Sequence, residues 1–381
     1  MFLYWAFTIP ALLLALASLR AGWRHWQYVA ASVRDHGGAW TPPATLIVPV
    51  KGLEEGLAAN LRSLVQQDYP DFELLVVASD PDDPSLPHLR GFGRLLLSGP
   101  PAPDTGEKIH NLLAAVAAAR PQSRVLAFAD SDGRVESSWL RALVAALEDP
   151  AAGAATGYRW YFPEGAGFWS LLRSVWNSTI AGTFGAGHPR FAWGGAMAIR
   201  REIFEAARVA QFWRGAVSDD YRLTEAVRAA GLEVRFTPLA MVATGGECDA
   251  REFLSWARRQ MIITRLYAPR LWWGGFAAHV FYCGAMVAGA AAIAAGRLWA
   301  VPMLAAMLAP GMLRGAWRRR AATLMFPARA PWLARHGWIY SWLTPLATWT
   351  WLYTFLASAW TRRIEWRGRV YELVGRPDAR P

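Results

Sequence analysis

At 381 residues the chain has room for about two domains, and with 54% hydrophobic residues and 22 Trp it is too apolar for an ordinary soluble enzyme. Two cysteines, Cys248 and Cys283, exclude a disulfide framework or a cysteine zinc site and fit a reducing compartment. The net charge of +11 does not point to nucleic acid, because the arginines cluster beside apolar runs.

Residues 2–19, FLYWAFTIPALLLALASL, carry no charge and nearly cross a ~30 Å hydrocarbon core at about 1.5 Å per residue. A cleaved signal peptide would need basic residues before the apolar run. Here Arg20, Arg24 and His25 follow it. Residues 1–20 therefore read as a retained transmembrane anchor with its N-terminus outside. Arg314, Arg318, Arg319 and Arg320 follow a later apolar run, and Arg362 and Arg363 follow the last. Such clusters anchor spans on the cytoplasmic side, and anionic headgroups add to the attraction.

Residues 41–245 read as a cytoplasmic domain that alternates strand and helix signals. TLIVPV (45–50) is a short β-branched run, and EGLAANLRSLVQQ (55–67) has helical spacing. FELLVVAS (72–79) is a second strand, KIHNLLAAVAAAR (108–120) a helix, and RVLAFAD (124–130) a third strand. This alternation predicts an α/β fold, a mostly parallel Rossmann-like sheet with helices on both faces. Residues 251–273, REFLSWARRQMIITRLYAPRLWW, are basic and aromatic on a helical period, as in an amphipathic helix lying in the membrane plane.

The 274–363 region reads as transmembrane or re-entrant. Run 274–296 is rich in Gly and Ala, which suits close packing in lipid. Run 298–313 is uncharged between Arg297 and Arg314, and 337–360 is Trp-rich and interrupted by Pro345. Four full crossings would leave the C-terminus outside, yet Arg362, Arg363, Arg367 and Arg369 argue that it stays inside. One C-terminal segment is therefore expected to be re-entrant or interfacial. Residues 364–381 form a tail. The chain has no internal repeat and no low-complexity stretch.

Ligands of open α/β sheets bind beyond the carboxyl ends of the strands. The first strand ends in Pro49, Val50 and Lys51, the second in Asp80 with Asp82 and Asp83 next, and the third in Asp130-Ser131-Asp132. Carboxylates at successive strand ends repel one another, so they serve a cation or a polar ligand. An Asp-x-Asp at such an end suits Mg²⁺ or Mn²⁺, whose remaining positions a diphosphate fills. By position, Pro49 and Lys51 are donor-binding candidates, and Asp130 and Asp132 are metal candidates.

The ordered motifs make the chain resemble the ceramide glucosyltransferases (family 21) and the related family 2 glycosyltransferases, whose catalytic domain is the GT-A fold. ASDPDDP (78–84) looks like the first aspartate motif, with Asp80 in the key place. GEKIHNL (106–112) is similar to the segment carrying Lys108 and Asn111, and FADSDGRV (128–135) resembles the second motif at Asp130. HPR (188–190) is similar to a His-Pro-Arg of the ceramide enzymes, and SDDYRLTEAVRAAG (218–231) resembles the third motif at Asp220. IEWRGRVYEL (364–373) is similar to the family's tail.

The resemblance implies an inverting enzyme that moves a glucose-like hexose from a UDP-sugar to a membrane lipid, ceramide or a related bacterial-type lipid, giving a β-glycolipid. Asp80 would hold the uracil or ribose, with Lys108, Asn111 and Asp130 as further donor contacts. Asp130 and Asp132 would hold Mg²⁺ or Mn²⁺, and Asp220 would be the general base. His188, Arg190, Asp219, Arg259, Gln260 and Arg265 are candidates for acceptor or diphosphate contacts. A plainer role for Asp219-Asp220 is a helix N-cap pair.

One departure concerns the family's Q/R-x-x-R-W on the interfacial helix. After Gln260, Ile263 and Thr264 stand where Arg and Trp are expected, and Arg259 or Arg265 would supply the charge. A processive polysaccharide synthase shares the catalytic domain but needs more spans and the missing Arg-Trp pair. A non-catalytic nucleotide-sugar-binding membrane protein would be expected to lose a strand-end aspartate, and none is lost. A transporter should carry polar or charged residues in its spans, and these carry almost none.

Overall fold

The computed structural model describes residues 2–34, 38–101, 105–185 and 191–373. Its centre is a seven-stranded sheet in the order β3 (Arg94–Leu97), β2 (Phe72–Ala78), β1 (Ala44–Pro49), β4 (Val125–Ala129), β7 (Ala196–Arg200), β5 (Ala152–Thr156) and β8 (Glu233–Phe236). The first four strands are parallel, β7 runs against both β4 and β5, and β8 is parallel to β5. Strand β4 is a continuous apolar run, and β1 is apolar except for the hydrogen-bonded Thr45, because both faces of the sheet are covered. On one face Leu46, Val48 and Ala127 pack with Leu61, Leu64 and Leu143. On the other, Ile47, Val77 and Phe128 pack with Ile109, Leu112 and Trp213. This is the α/β architecture expected from the strand–helix alternation.

A second, two-stranded sheet pairs β6 (Arg159–Tyr161) with β9 (Val242–Thr244), and the tail forms a hairpin of β10 (Arg363–Trp366) and β11 (Arg369–Glu372). Many of the tryptophans serve a third, aromatic core joining the sheet domain to the apolar helices. In it Trp176 stacks on Trp351 with ring centroids 3.8 Å apart and planes 7° from parallel.

Among the described residues two helices are long and apolar enough to cross a membrane, Tyr4–Ser32 and Pro269–Ala294. The first helix, Phe2–Ser32, extends well beyond the anchor boundary at residue 20. Helicity does not stop where hydrophobicity does, and the basic stretch after Arg20 continues it against the Ala300–Met325 helix. The amphipathic stretch expected over 251–273 ends earlier, as a helix over Ala250–Tyr267. Ala268, just before Pro269, has φ −136° and ψ 60°, since the ring of a following proline disfavours helical backbone. Residues 269–273 therefore open the next helix, with Pro269 in its first turn.

The third apolar run belongs to a helix, Ala300–Met325, that continues through all four arginines. The fourth run divides into the Ile339–Trp342 turn and the Thr344–Ser358 helix.

Candidate active site

A cavity of about 880 Å³ opens beyond the carboxyl ends of β1 and β4. It gathers Pro49, Lys51, Lys108, Asn111, Asp130 and Asp132 from the sheet side. Asp219, Asp220, Arg259 and Gln260 reach it from the two helices opposite.

The floor is a chain of alternating charges. Lys108 lies at the start of the Glu107–Ala118 helix, and its Nζ sits 2.9 Å from Asp130 and 3.2 Å from Asp219. Arg159 on β6 forks onto Asp132 at 2.5 and 2.8 Å and reaches Asp130 at 3.2 Å. Its guanidinium lies 5.0 Å from the centroid of the Trp193 ring, a cation–π distance. Burial alone would raise the Asp130 pKa, but Lys108 and Arg159 outweigh it and hold the carboxyl below its ordinary value. Burial pushes Asp219 up to about 6, against the pull of Lys108 and with the push of Asp220 and Asp130. Lys108 is itself buried, which disfavours its charge, yet Asp130 and Asp219 raise its pKa above the ordinary lysine value.

The backbone at Gly194-Gly195 threads between these groups. A Cβ on Gly194 would lie 2.3 Å from Asp219 Oδ2 and 2.8 Å from Lys108 Nζ, so no side chain fits there unless the ion pair gives way.

Asp220 stands half-exposed in the first turn of the Asp219–Ala229 helix. Its Oδ1 accepts from the Tyr221 N–H at 2.8 Å and from the Ser218 hydroxyl, and its Oδ2 accepts from the Gly194 N–H at 3.3 Å. The N-cap of this helix is Ser218, whose hydroxyl accepts from Tyr221 N–H. This corrects the reading of Asp219-Asp220 as the cap pair: the serine just ahead of them supplies the cap. The helix dipole favours carboxylates in this first turn.

Asp130 and Asp132 are hard oxygen donors on the cavity wall, and two carboxylates with a diphosphate make an acceptable Mg²⁺ or Mn²⁺ set. Both, however, are engaged by Arg159. Among the described residues no group of three or more His, Cys, Asp or Glu side chains is arranged to hold a metal ion. These residues therefore fit a metal only when a ligand's oxygens complete its shell and Arg159 withdraws.

The remaining sequence candidates divide between the cavity and its surroundings. Asp80 is exposed at the end of β2, outside the cavity lining, and binds the N–H of Asp82 at 2.9 Å. Its neighbour Asp83 is buried and accepts from Gly52 N–H at 2.8 Å, which fixes the turn after β1. Asn111 lines the cavity and accepts from the Ser98 hydroxyl at 2.6 Å. Arg259 lies over the Trp366 ring at 5.8 Å, whereas Arg265 turns outside the lining to the Thr361 carbonyl at 2.7 Å. Ile263 lines the cavity, and Thr264 meets the Tyr221 hydroxyl at 3.1 Å. His188 and Arg190 lie outside the described residues.

Sequence reasoning missed Arg159, Trp193, Glu54, Glu107 and the tail residues Trp366 and Arg367, all of which line the cavity. The available signal for Arg159 is a charge inside the apolar run GYRWYF. Phe191 also lines the cavity, as do Trp176, Ile180, Trp256 and Met261, which are interleaved on their helices with Arg173, Asn177, Arg259 and Gln260.

The sequence model of glycosyl transferase family 21 matches residues 3–378. Among solved structures, a mannosyltransferase from Pyrobaculum calidifontis in complex with GDP-Man and Mn²⁺ is similar at 20% identity, with 93% of this chain and 97% of that chain covered and a TM-score of 0.48. Glucosyl-3-phosphoglycerate synthase from Mycobacterium tuberculosis, with Mn²⁺, uridine diphosphate and glucosyl-3-phosphoglycerate, is similar at 16% identity, covering 61% of this chain and 85% of that chain, with a TM-score of 0.40.

Proposed function

The chain belongs to glycosyl transferase family 21 and is a glycosyltransferase, and on that premise we propose that it moves a glucose-like hexose from a UDP-sugar to the hydroxyl of a membrane lipid, with inversion. The observation that carries the reading is one cavity whose lining joins the charged strand ends to a group of aromatic side chains, with Asp220 half-buried on it. The charged strand ends suit a nucleotide diphosphate, and the aromatic side chains suit the apolar body of a lipid.

In this reading Asp220 takes the proton from the acceptor hydroxyl. The oxygen bonds to the anomeric carbon as the bond from that carbon to the diphosphate breaks, and UDP departs with the electron pair. The Gly194 N–H and the Ser218 hydroxyl hold the carboxylate in place. Lys108 and Arg159 stand beside Asp130 and Asp132, where the charge of a departing diphosphate would develop. Asp130 and Asp132 would hold Mg²⁺ or Mn²⁺ together with the diphosphate, and such an ion neutralises the leaving group. EDTA is expected to abolish turnover, whereas unchanged turnover would leave Lys108 and Arg159 as the cations that serve the diphosphate.

The helix packing supports three crossings and an internal C-terminus. Tyr4 meets Trp299 at one end of the first helix, and Trp23 meets Trp317 at the other. The Phe2–Ser32 and Ala300–Met325 helices therefore run in the same direction, with Pro269–Ala294 returning between the other two crossings. With the N-terminus outside, the catalytic domain and the tail then share the cytoplasmic side. The Thr344–Ser358 helix is 15 residues, about 22 Å at about 1.5 Å per residue, short of a ~30 Å hydrocarbon core. Along it Leu346, Trp349, Tyr353 and Leu356, with Trp342 just before and Trp360 just after, recur every three or four residues and are all exposed. An apolar stripe at helical spacing fits a helix lying in the interface. This placement removes the conflict that four crossings would create.

The decisive experiment incubates the purified protein with labelled UDP-glucose, UDP-galactose or UDP-GlcNAc and a lipid extract. Label is expected in the lipid phase from one of them. Label that stays water-soluble with every donor would sink the reading.

A further inference from the structure

We propose that Arg367, at the tip of the C-terminal hairpin, is a diphosphate contact that completes the donor end of the cavity; this rests on the donor-site reading above. Strands β10 and β11 pair Trp366 with Arg369, which leaves a two-residue turn of Arg367 and Gly368. Their φ angles are 49° and 76°, the left-handed pair of a type I′ hairpin. Asn-Gly and Asp-Gly suit that turn best, and a long L-residue rarely holds its first position. An arginine kept there is a local cost that points to a use for its side chain.

The side chain reaches the cavity. Arg367 donates to the Lys51 carbonyl at the end of β1 and to the Glu54 carboxylate, and Trp366, Arg367 and Tyr371 all line the cavity wall. Glu54 in turn accepts from the hydroxyl of Ser131, the middle residue of Asp130-Ser131-Asp132. The Lys51 carbonyl and the Glu54 carboxylate thus tie the hairpin tip to the end of β1 and to the Asp130–Asp132 turn. The hairpin is held in this pose by Ile364 and Leu373, which are buried against Val217 and Ile262. Arg369, one residue past the turn, approaches Glu107 at 3.5 Å.

Two of the five N–H donors of the guanidinium serve Lys51 and Glu54. The remaining ones belong to a planar fork that matches phosphate geometry, which the ammonium of a lysine does not. The tip lies between the end of β1 and the Asp130–Asp132 turn, where the diphosphate of a donor would pass between its nucleoside and its sugar.

The test compares the full-length wild type with Arg367→Asn and Arg367→Lys in detergent. It measures melting temperature and the affinities for UDP, GDP, uridine and guanosine. Asn-Gly is a favoured type I′ pair, so Arg367→Asn retains the turn while removing the cation. Nucleoside diphosphate affinity is expected to fall about tenfold, as for the loss of one charge-assisted hydrogen bond, with nucleoside affinity unchanged. Arg367→Lys should lie between the two. If Arg367→Asn also lowers the melting temperature, the ratio of diphosphate to nucleoside affinity still decides. An equal loss for both, or no loss for either, overturns the proposal and leaves Arg367 as a structural clasp. A wild type that binds neither diphosphate overturns the donor-site reading itself, and the proposal with it.

Discussion

Two pairs of largely buried cations divide this molecule. On the sheet side, Lys108 and Arg159 each meet carboxylates, Asp130 and Asp219 for the lysine and Asp130 and Asp132 for the arginine. In the helical joint, Arg314 and Arg318 meet neutral oxygens. Arg314 binds Ser18 Oγ at 2.6 Å and the Gly182 carbonyl at 3.2 Å. Arg318 binds Ser178 Oγ, the Tyr340 carbonyl and Thr344 Oγ1 at 3.2, 3.0 and 2.8 Å. Paired charges can exchange partners with a charged ligand at little net cost. Cations bound to carbonyls and hydroxyls crosslink the elements that present those groups. The first pair belongs to the cavity and the second to a joint between the sheet domain and the apolar helices.

The comparison is sharpened most by Asp220→Asn. On the site side its loss is expected to lower turnover by about 10²–10⁴, the usual contribution of a general base, with UDP-sugar affinity and melting temperature near wild type. Because Ser218 already caps the helix, a retained stability is expected on either view. Turnover measured with saturating donor decides, and near-normal turnover would remove Asp220 from the chemistry.

Next in size is Arg318→Leu. It removes three hydrogen bonds that tie Ser178, Tyr340 and Thr344 together, although Thr344 still donates to the Tyr340 carbonyl, and a loss of about 1–3 kcal/mol in stability is expected. Thermal unfolding in detergent checks it. No loss would mean that aromatic packing, such as the Trp176–Trp351 stack, holds the joint alone.

Arg159→Gln should do the reverse. It removes positive charge beside Asp130 and Asp132, so donor affinity is expected to fall about tenfold while the melting temperature moves less than for Arg318→Leu. Calorimetric titration with UDP reads the first quantity. A melting shift as large as that of Arg318→Leu would erase the distinction between the two pairs.

The smallest effect belongs to Arg265→Gln. Its guanidinium binds the Thr361 carbonyl outside the cavity, so stability is expected to stay within about 0.5 kcal/mol and donor affinity unchanged. A clear loss of donor affinity there would restore Arg265 as the replacement for the arginine absent at position 263.

The strand ends were legible because their signals are local. A short apolar run followed by Asp130-Ser131-Asp132 carries both the strand and its exit, and the parallel sheet follows from alternation with helices. The helix beginning at Asp219 was legible for the same reason. Its cap was misassigned because serine and aspartate are near-equal caps, and only the backbone of Ser218, extended at φ −104° and ψ 107°, decides between them.

The sequence by itself determined the apolar segments, the strand–helix alternation and the carboxylates at the strand ends, since each follows from neighbours within a few residues. Only the tertiary structure decided which charges meet. Arg159 reaches Asp132 because β6 pairs with β9 beside the sheet, and Arg367 reaches Glu54 across more than three hundred residues of chain because Ile364 and Leu373 dock on Val217 and Ile262. Local patterns record periodicity and conformational preference. Partner choice among distant charges depends on how far each side chain can reach once the backbone is folded, and no window of sequence holds that distance.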